Sequence, residues 1–188
     1  MKEIILASKS PRRVELLKEI YPGSFLVIPS DIDEESVPFT DLKDKVIQIA
    51  TKKLERSMID HPNSVIISSD TMVVHNGFAI GKPKNEKEAF DMLKKLSGDY
   101  HYVYTAYAFY NGNGIIEKGL DIAKVYINKM DDLAIKEYIK EYKPFDKAGS
   151  YGIQDAGMSV EIIHGTKDVV MGFGKESIKK LLIKYNII

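Results

Sequence analysis

The strongest constraint on this chain is the way its apolar period changes from one end to the other. In the first half, short β-prone runs alternate with stripes of helical spacing. Further on, paired β-prone runs are separated only by tight-turn residues. Ile4-Ile5-Leu6-Ala7 has the length of a buried strand, and Ser10-Pro11 supplies a helix cap followed by a residue suited to the first helical position. Val14, Leu16, Leu17 and Ile20 then form a helical stripe, closed by Tyr21-Pro22-Gly23. Strand, turn and helix in that order require a sheet that is at least partly parallel, covered by helices. Asn76-Gly77 between Met72-Val73-Val74 and Phe78-Ala79-Ile80 is a hairpin signal, and Asn111-Gly112-Asn113-Gly114 separates two further strands, Tyr102 to Tyr110 and Leu120 to Ile127. The pattern therefore predicts an α/β fold with a mixed central β-sheet flanked by helices.

The remaining elements follow from spacing. Phe25 to Pro29 reads as a strand. Thr40-Asp41 opens a helix with Val46, Ile47, Ala50, Leu54 and Met58 on one side, ending near Asp60-His61-Pro62. Asn85 caps a helix with Glu88 three residues on, apolar Ala89, Met92, Leu93 and Leu96, and Gly98 as its stop. Asp131 caps a helix carrying Ile135, Tyr138, Ile139 and Tyr142, Val160 to Ile163 is a short strand, and Ile178, Leu181, Leu182 and Tyr185 mark a last helix. No repeat, low-complexity tract or linker divides residues 1–188, so a single domain is the expectation.

Composition narrows the function. With 27 Lys+Arg against 27 Asp+Glu, the chain lacks the basic field of a nonspecific nucleic-acid binder, while a compact anionic ligand remains possible. The absence of Cys excludes a disulfide scaffold, a thiolate zinc site and a Cys nucleophile. Neither a signal-peptide core nor an apolar run of membrane-spanning length is present, which reads as a cytoplasmic protein without a membrane partner.

Several stretches can carry chemistry. Ser8-Lys9-Ser10-Pro11-Arg12-Arg13 places a helix N-terminus beside two guanidinium groups, an arrangement that suits a polyphosphate and equally suits a capped helix with solvated arginines. Asp33-Glu34-Glu35 offers hard oxygen ligands, as solvated acidic loops also do. Lys53 projects from the packed side of its helix, where a lysine either snorkels or meets an anion. Val65-Ile66-Ile67 delivers Ser68-Ser69-Asp70-Thr71 at a strand end, a position from which an Asp can bind metal or accept a proton. Gly81-Lys82-Pro83 returns a lysine after the hairpin. Lys147-Ala148-Gly149-Ser150-Tyr151-Gly152-Ile153-Gln154 combines glycines, a lysine and an amide suited to reading the edge of a planar ligand. The four histidines are scattered without metal-ligand spacing.

Together these stretches resemble the Maf family of nucleoside triphosphate pyrophosphatases along nearly the whole chain. The matching segments are Leu6 to Leu17, Ser69-Asp70-Thr71, Gly81-Lys82-Pro83, Leu96-Ser97-Gly98 with His101 and Thr105, and Lys147 to Gln154. The resemblance implies a Maf/inosine-triphosphatase-like fold with two lobes around a cleft, usually a homodimer. It also implies hydrolysis of a nucleoside triphosphate to the monophosphate and pyrophosphate with Mg²⁺ or Mn²⁺. In that picture Asp70 is the proton acceptor, and Arg12, Thr71 and Gln154 govern the base, all three being of the dTTP/UTP type. Glu34 is linked with Asp70 to the metal, and Ser8, Arg13, Lys53, Lys82 and Lys147 to phosphate or base. The family's septation effect offers an alternative role, a nucleotide-binding regulator of cell division without turnover. Two features depart from the family pattern. Gly172-Phe173-Gly174 replaces the usual Gly-Leu-Pro, and Asp155 follows Gln154 where Gly is common.

Overall fold

The computed structural model describes residues 2–188. Its seven-stranded sheet has the order β2-β1-β3-β5-β6-β7, with β4 paired to β3. β1 (Ile4–Leu6) runs parallel to both β2 (Leu26–Val27) and β3 (Val65–His75), whereas β4 (Phe78–Ile80) is antiparallel to β3. β5 (Tyr100–Tyr110) and β6 (Ile116–Ile127) neighbour each other in the sheet across a short turn, and β7 (Val160–His164) lies antiparallel to β6. The mixed α/β architecture expected from the alternation is what the chain adopts.

The chain divides into two compact units: residues 1–70, 105–121 and 172–188, and residues 71–104 and 122–171. The first contains α1 (Pro11–Ile20), α2 (Leu42–Asp60) and α6 (Lys175–Lys184). Its core is built from Ile5, Leu6, Leu17, Val46, Ala50, Leu54, Ile66, Ile67, Phe109, Phe173, Ile178 and Leu182, all essentially inaccessible to water. Burying an aliphatic or aromatic side chain of this kind contributes about 1.5–3 kcal/mol. The apolar stripes read from sequence are therefore the faces that hold this unit together. The helix α1 packs beside α6.

The second unit contains α3 (Glu86–Leu96), α4 (Asp132–Tyr142) and a short α5 (Lys167–Val170). Ala89, Leu93 and Leu96 of α3 and Ile135, Tyr138 and Ile139 of α4 pack with Val103, Ala123, Val125 and Ile127 of the sheet. The expected Asn85 cap is present, while the Glu88 carboxylate reaches the amide one residue before the cap rather than that of Asn85 itself. The Asn85 side chain accepts from the Glu88 amide at 2.9 Å, and the Glu88 carboxylate accepts from the Lys84 amide at 2.9 Å.

Three local expectations are corrected. Ser10 sits at the N-cap of α1, but its side chain caps nothing; instead the Ser8 hydroxyl accepts from the Ser10 amide at 3.2 Å. The second strand is only Leu26–Val27, and the chain leaves the sheet after the Ile28 amide donates to the Leu6 carbonyl at 3.0 Å. β6 begins at Ile116 rather than Leu120, since pairing with β5 extends through Glu117-Lys118-Gly119, which the apolar period does not mark.

Candidate active site

In the first unit, β3 ends its buried run at Asp70. Ser68 and Ser69 before it are fully buried and spend their hydroxyls on backbone carbonyls, Ser68 on Ala50 at 2.7 Å and Ser69 on Ala106 at 2.8 Å. Buried hydroxyls must be satisfied, and these two fix the strand on which the carboxylate is mounted. The Asp70 side chain is 13% exposed and accepts from Lys53 Nζ at 2.8 Å. The same ammonium lies 2.7 Å from Glu34 Oε1, so two carboxylates face each other across one cation. Snorkelling, the simpler fate for Lys53, is not what it does. Its position on the packed side of α2 carries it to the acidic pair. Glu34 opens a single 3-10 turn, Glu34–Ser36, capped by Asp33, whose side chain accepts from the Glu35 amide. Here the acidic run owes its shape to Asp33 and its site contact to Glu34 alone.

Arg13 joins this set electrostatically. Burial pushes its guanidinium below the usual range and neighbouring Arg12 acts the same way, while the charges of Asp70 and Glu34 push back. An arginine keeps its proton under such pressure, so Arg13 is a fixed cation near two carboxylates. Its Nε donates to the Gly172 carbonyl at 2.8 Å and its Nη1 to Ser8 Oγ at 3.2 Å. The Gly172 carbonyl also accepts from Ser69 Oγ at 3.0 Å, tying Arg13 to the strand end that carries Asp70. Ser69 and Gly172 are the positioning groups that sequence reasoning missed. Gly172 has φ of 98°, a left-handed conformation that favours glycine. The departure at 172–174 thus keeps the residue whose backbone matters and buries Phe173 completely.

The second unit carries Thr71, Lys82, Lys147 and Gln154. The Gly149 amide donates to the Gly81 carbonyl at 3.1 Å, which brings the segment of exposed Lys82 to that of Lys147. Lys147 Nζ is 2.9 Å from Asp146. Gln154 is exposed on a turn closed by the Asp155 amide and the Gly152 carbonyl, 3.0 Å apart. His101, fully buried, shares a 2.7 Å hydrogen bond between its Nε2 and the Tyr151 hydroxyl, and burial holds its pKa down to about 4. It is a neutral core residue, in keeping with its having no assigned catalytic role.

Among the described residues no cluster of three or more His, Asp or Glu side chains is arranged to hold a metal ion. The donor set available is the Glu34 and Asp70 pair. It fits a hard divalent cation of the Mg²⁺ kind, which is commonly held by one or two carboxylates with substrate phosphates and water completing its shell. A cavity of about 370 Å³ lined by Lys2, Val65, Asn111, Lys184 and Tyr185 touches none of these residues. No helix among the described residues is long and apolar enough to cross a membrane.

Comparison with known proteins places the chain. The sequence model of the Maf-like protein family matches residues 3–185. A protein of Clostridium botulinum (strain Okra / Type B1) named dTTP/UTP pyrophosphatase is 41% identical over 194 aligned positions, covering 100% of this chain and 99% of that one. Proteins of the same name from Clostridium tetani and Caldicellulosiruptor bescii are 43% and 42% identical, covering 89% and 92% of this chain and 90% and 89% of theirs. Among solved structures, the Ham1 protein of Staphylococcus aureus aligns with a TM-score of 0.46 at 17% identity over 67% of this chain and 72% of that one, too weak a likeness to bear on the site. With Asp70 and Arg13 on the segments that carry the resemblance and Lys53 brought to Asp70 from α2, and with a relative matched at this identity across the whole chain, this chain belongs to the Maf-like protein family.

Proposed function

We propose that this protein is a nucleoside triphosphate pyrophosphatase that hydrolyses dTTP and UTP to the monophosphate and pyrophosphate. The observation that supports it most directly is the part-buried Asp70 carboxylate, held by Lys53 opposite Glu34 and within the field of Arg13. Relatives over 40% identical across the chain carry the matching name. A protein that only bound nucleotide would have no need of a rigid, nearly dry carboxylate at a strand end, and this favours turnover over a purely regulatory role.

The chemical task is attack of water on the α-phosphorus and departure of pyrophosphate, which positioned charge accomplishes without covalent chemistry. Asp70 orients the water and accepts its proton. Arg13, Lys53 and Lys82 neutralise phosphate charge, and Ser8 holds Arg13 in place. Lys53 exchanges its carboxylate partners for phosphate oxygens when a substrate binds, one anion for another. Glu34 and Asp70 would hold Mg²⁺ or Mn²⁺, which when bound supplies Lewis-acid charge neutralisation. Arg12, Thr71 and Gln154 select the base, with Lys147 close to Gln154 in sequence. The exposed Gln154 amide would be covered by the base, and an amide covered by a base with which it cannot pair discriminates strongly.

The whole chain serves as one functional domain, acting in the cytoplasm as a homodimer and without a nucleic-acid or membrane partner. The deciding experiment incubates the protein with Mg²⁺ and a panel of dTTP, UTP, ATP and GTP and measures monophosphate and pyrophosphate. Fastest release from dTTP or UTP is expected. Binding without metal-dependent release would instead establish the regulatory alternative.

A further inference from the structure

The residue after Gln154 departs from the family pattern, and the structure gives it a partner. Gly152 to Met158 forms two successive turns, closed by the Asp155 amide on the Gly152 carbonyl and the Met158 amide on the Asp155 carbonyl, each at 3.0 Å. Gln154 stands on the first. Beneath them α4 presents Tyr138 and Tyr142, one helical turn apart, their rings stacked with centroids 5.0 Å apart. The Tyr138 hydroxyl accepts from the buried Gly152 amide at 3.0 Å and donates to Asp155 Oδ2 at 2.5 Å. The Tyr142 hydroxyl accepts from the Gly157 amide at 3.1 Å. Both ends of the double turn are therefore fastened to one rigid helix face. The fit is close: a Cβ on Gly157 would lie 2.8 Å from the Tyr142 ring, and one on Gly152 would lie 2.7 Å from Asp155 Oδ2 and 2.8 Å from Gln154 Nε2.

We infer that Tyr138 and Asp155, with Tyr142, are positioning residues for base selection: they clamp the double turn so that Gln154 meets the nucleobase in one orientation. This rests on the reading that Gln154 recognises a pyrimidine edge. Of the three, Asp155 is the latch, because only its carboxylate turns the Tyr138 hydroxyl so that its lone pairs stay aimed at the Gly152 amide. Burial first, and Asp155 second, push the Tyr138 hydroxyl pKa up, so it remains a donor throughout the working range. A neighbouring Gly at position 155 would offer no such acceptor. In this protein a side chain thus supplies order that backbone geometry has to supply where Gly occupies the position.

The test compares kcat/KM for pyrophosphate release from dTTP and from ATP in the wild type and in Tyr138→Phe, Asp155→Ala and Asp155→Asn, alongside hydrogen exchange of the Gly152 and Gly157 amides. Losing one buried hydrogen bond should lower the dTTP-to-ATP ratio by about 5- to 10-fold in Tyr138→Phe and Asp155→Ala, chiefly through a raised KM for dTTP. Asp155→Asn retains a carbonyl acceptor and should hold the ratio within about twofold of wild type. Exchange at Gly152 should quicken in Tyr138→Phe. A wild-type ratio in both Tyr138→Phe and Asp155→Ala, or an equal loss on both nucleotides, overturns the inference while leaving the pyrimidine assignment intact. A wild type that releases pyrophosphate without pyrimidine preference overturns the Gln154 reading itself, and the clamp as a specificity device with it, even if Gly152 exchange responds as expected.

Discussion

Asp70 shows how much one side chain depends on its neighbours' hydrogen bonds. Its strand is pinned by two buried serines, its charge is balanced by Lys53, and the Gly172 carbonyl links Ser69 to Arg13. Asp70→Asn should lower pyrophosphate release by about 10²- to 10⁴-fold while nucleotide binding, read by calorimetry, persists. His101 yields a prediction of another kind. The unfolded chain takes up a proton near pH 6.5, whereas burial makes the folded chain refuse it until about pH 4. Stability from this group is complete above pH 6.5 and drains as pH falls toward 4, by about 3 kcal/mol in all. Urea midpoints measured at neutral pH and in this acid window should fall less steeply in His101→Gln than in the wild type.

At the scale of the element, α1 and α3 begin by different devices. In α3 the Asn85 cap accepts from the Glu88 amide, so Asn85→Ala should cost about 1 kcal/mol in chemical denaturation. In α1 Ser10 occupies the cap position without capping, and Ser8, 7% exposed, takes the Ser10 amide and Arg13 together. Ser8→Ala should therefore destabilise by about 1–2 kcal/mol and weaken turnover, whereas Ser10→Ala should change stability by less than about 0.5 kcal/mol. Such paired substitutions distinguish a sequence-typical cap from the group that satisfies the backbone. The short α5 carried no readable signal because four residues hold scarcely one helical turn of pattern.

For the molecule as a whole, the apolar cores of both units are complete without any metal, and Lys53 already satisfies the acidic pair. Chelation with EDTA should then abolish pyrophosphate release and leave the thermal midpoint in place, with Mg²⁺ or Mn²⁺ restoring activity. A large fall in the midpoint would show that the cation belongs to the fold rather than to the reaction. The even balance of 27 basic and 27 acidic residues makes retention on duplex DNA at moderate salt a further negative expectation, checked by gel shift.

Sequence alone determined the order of the strands and of the helices longer than one turn, because periods of two and of 3.6 are local properties that each such segment displays by itself. It determined the stripes of α2, α3 and α4, the Asn76-Gly77 hairpin, the Asn85 cap and, through short motifs, the set of chemically capable side chains. It left open what those side chains meet. The pattern at Lys53 favoured snorkelling over an anion, and only folding carried Glu34 and Asp70 to it from other parts of the chain. Likewise nothing in the run of residues tied Tyr138 to Asp155, or Arg13 to Gly172, because a hydrogen bond between segments far apart in sequence depends on where the backbone returns. Tertiary structure decided those pairings because desolvation makes an unpaired buried polar group costly, and only the packed chain decides which groups are buried together.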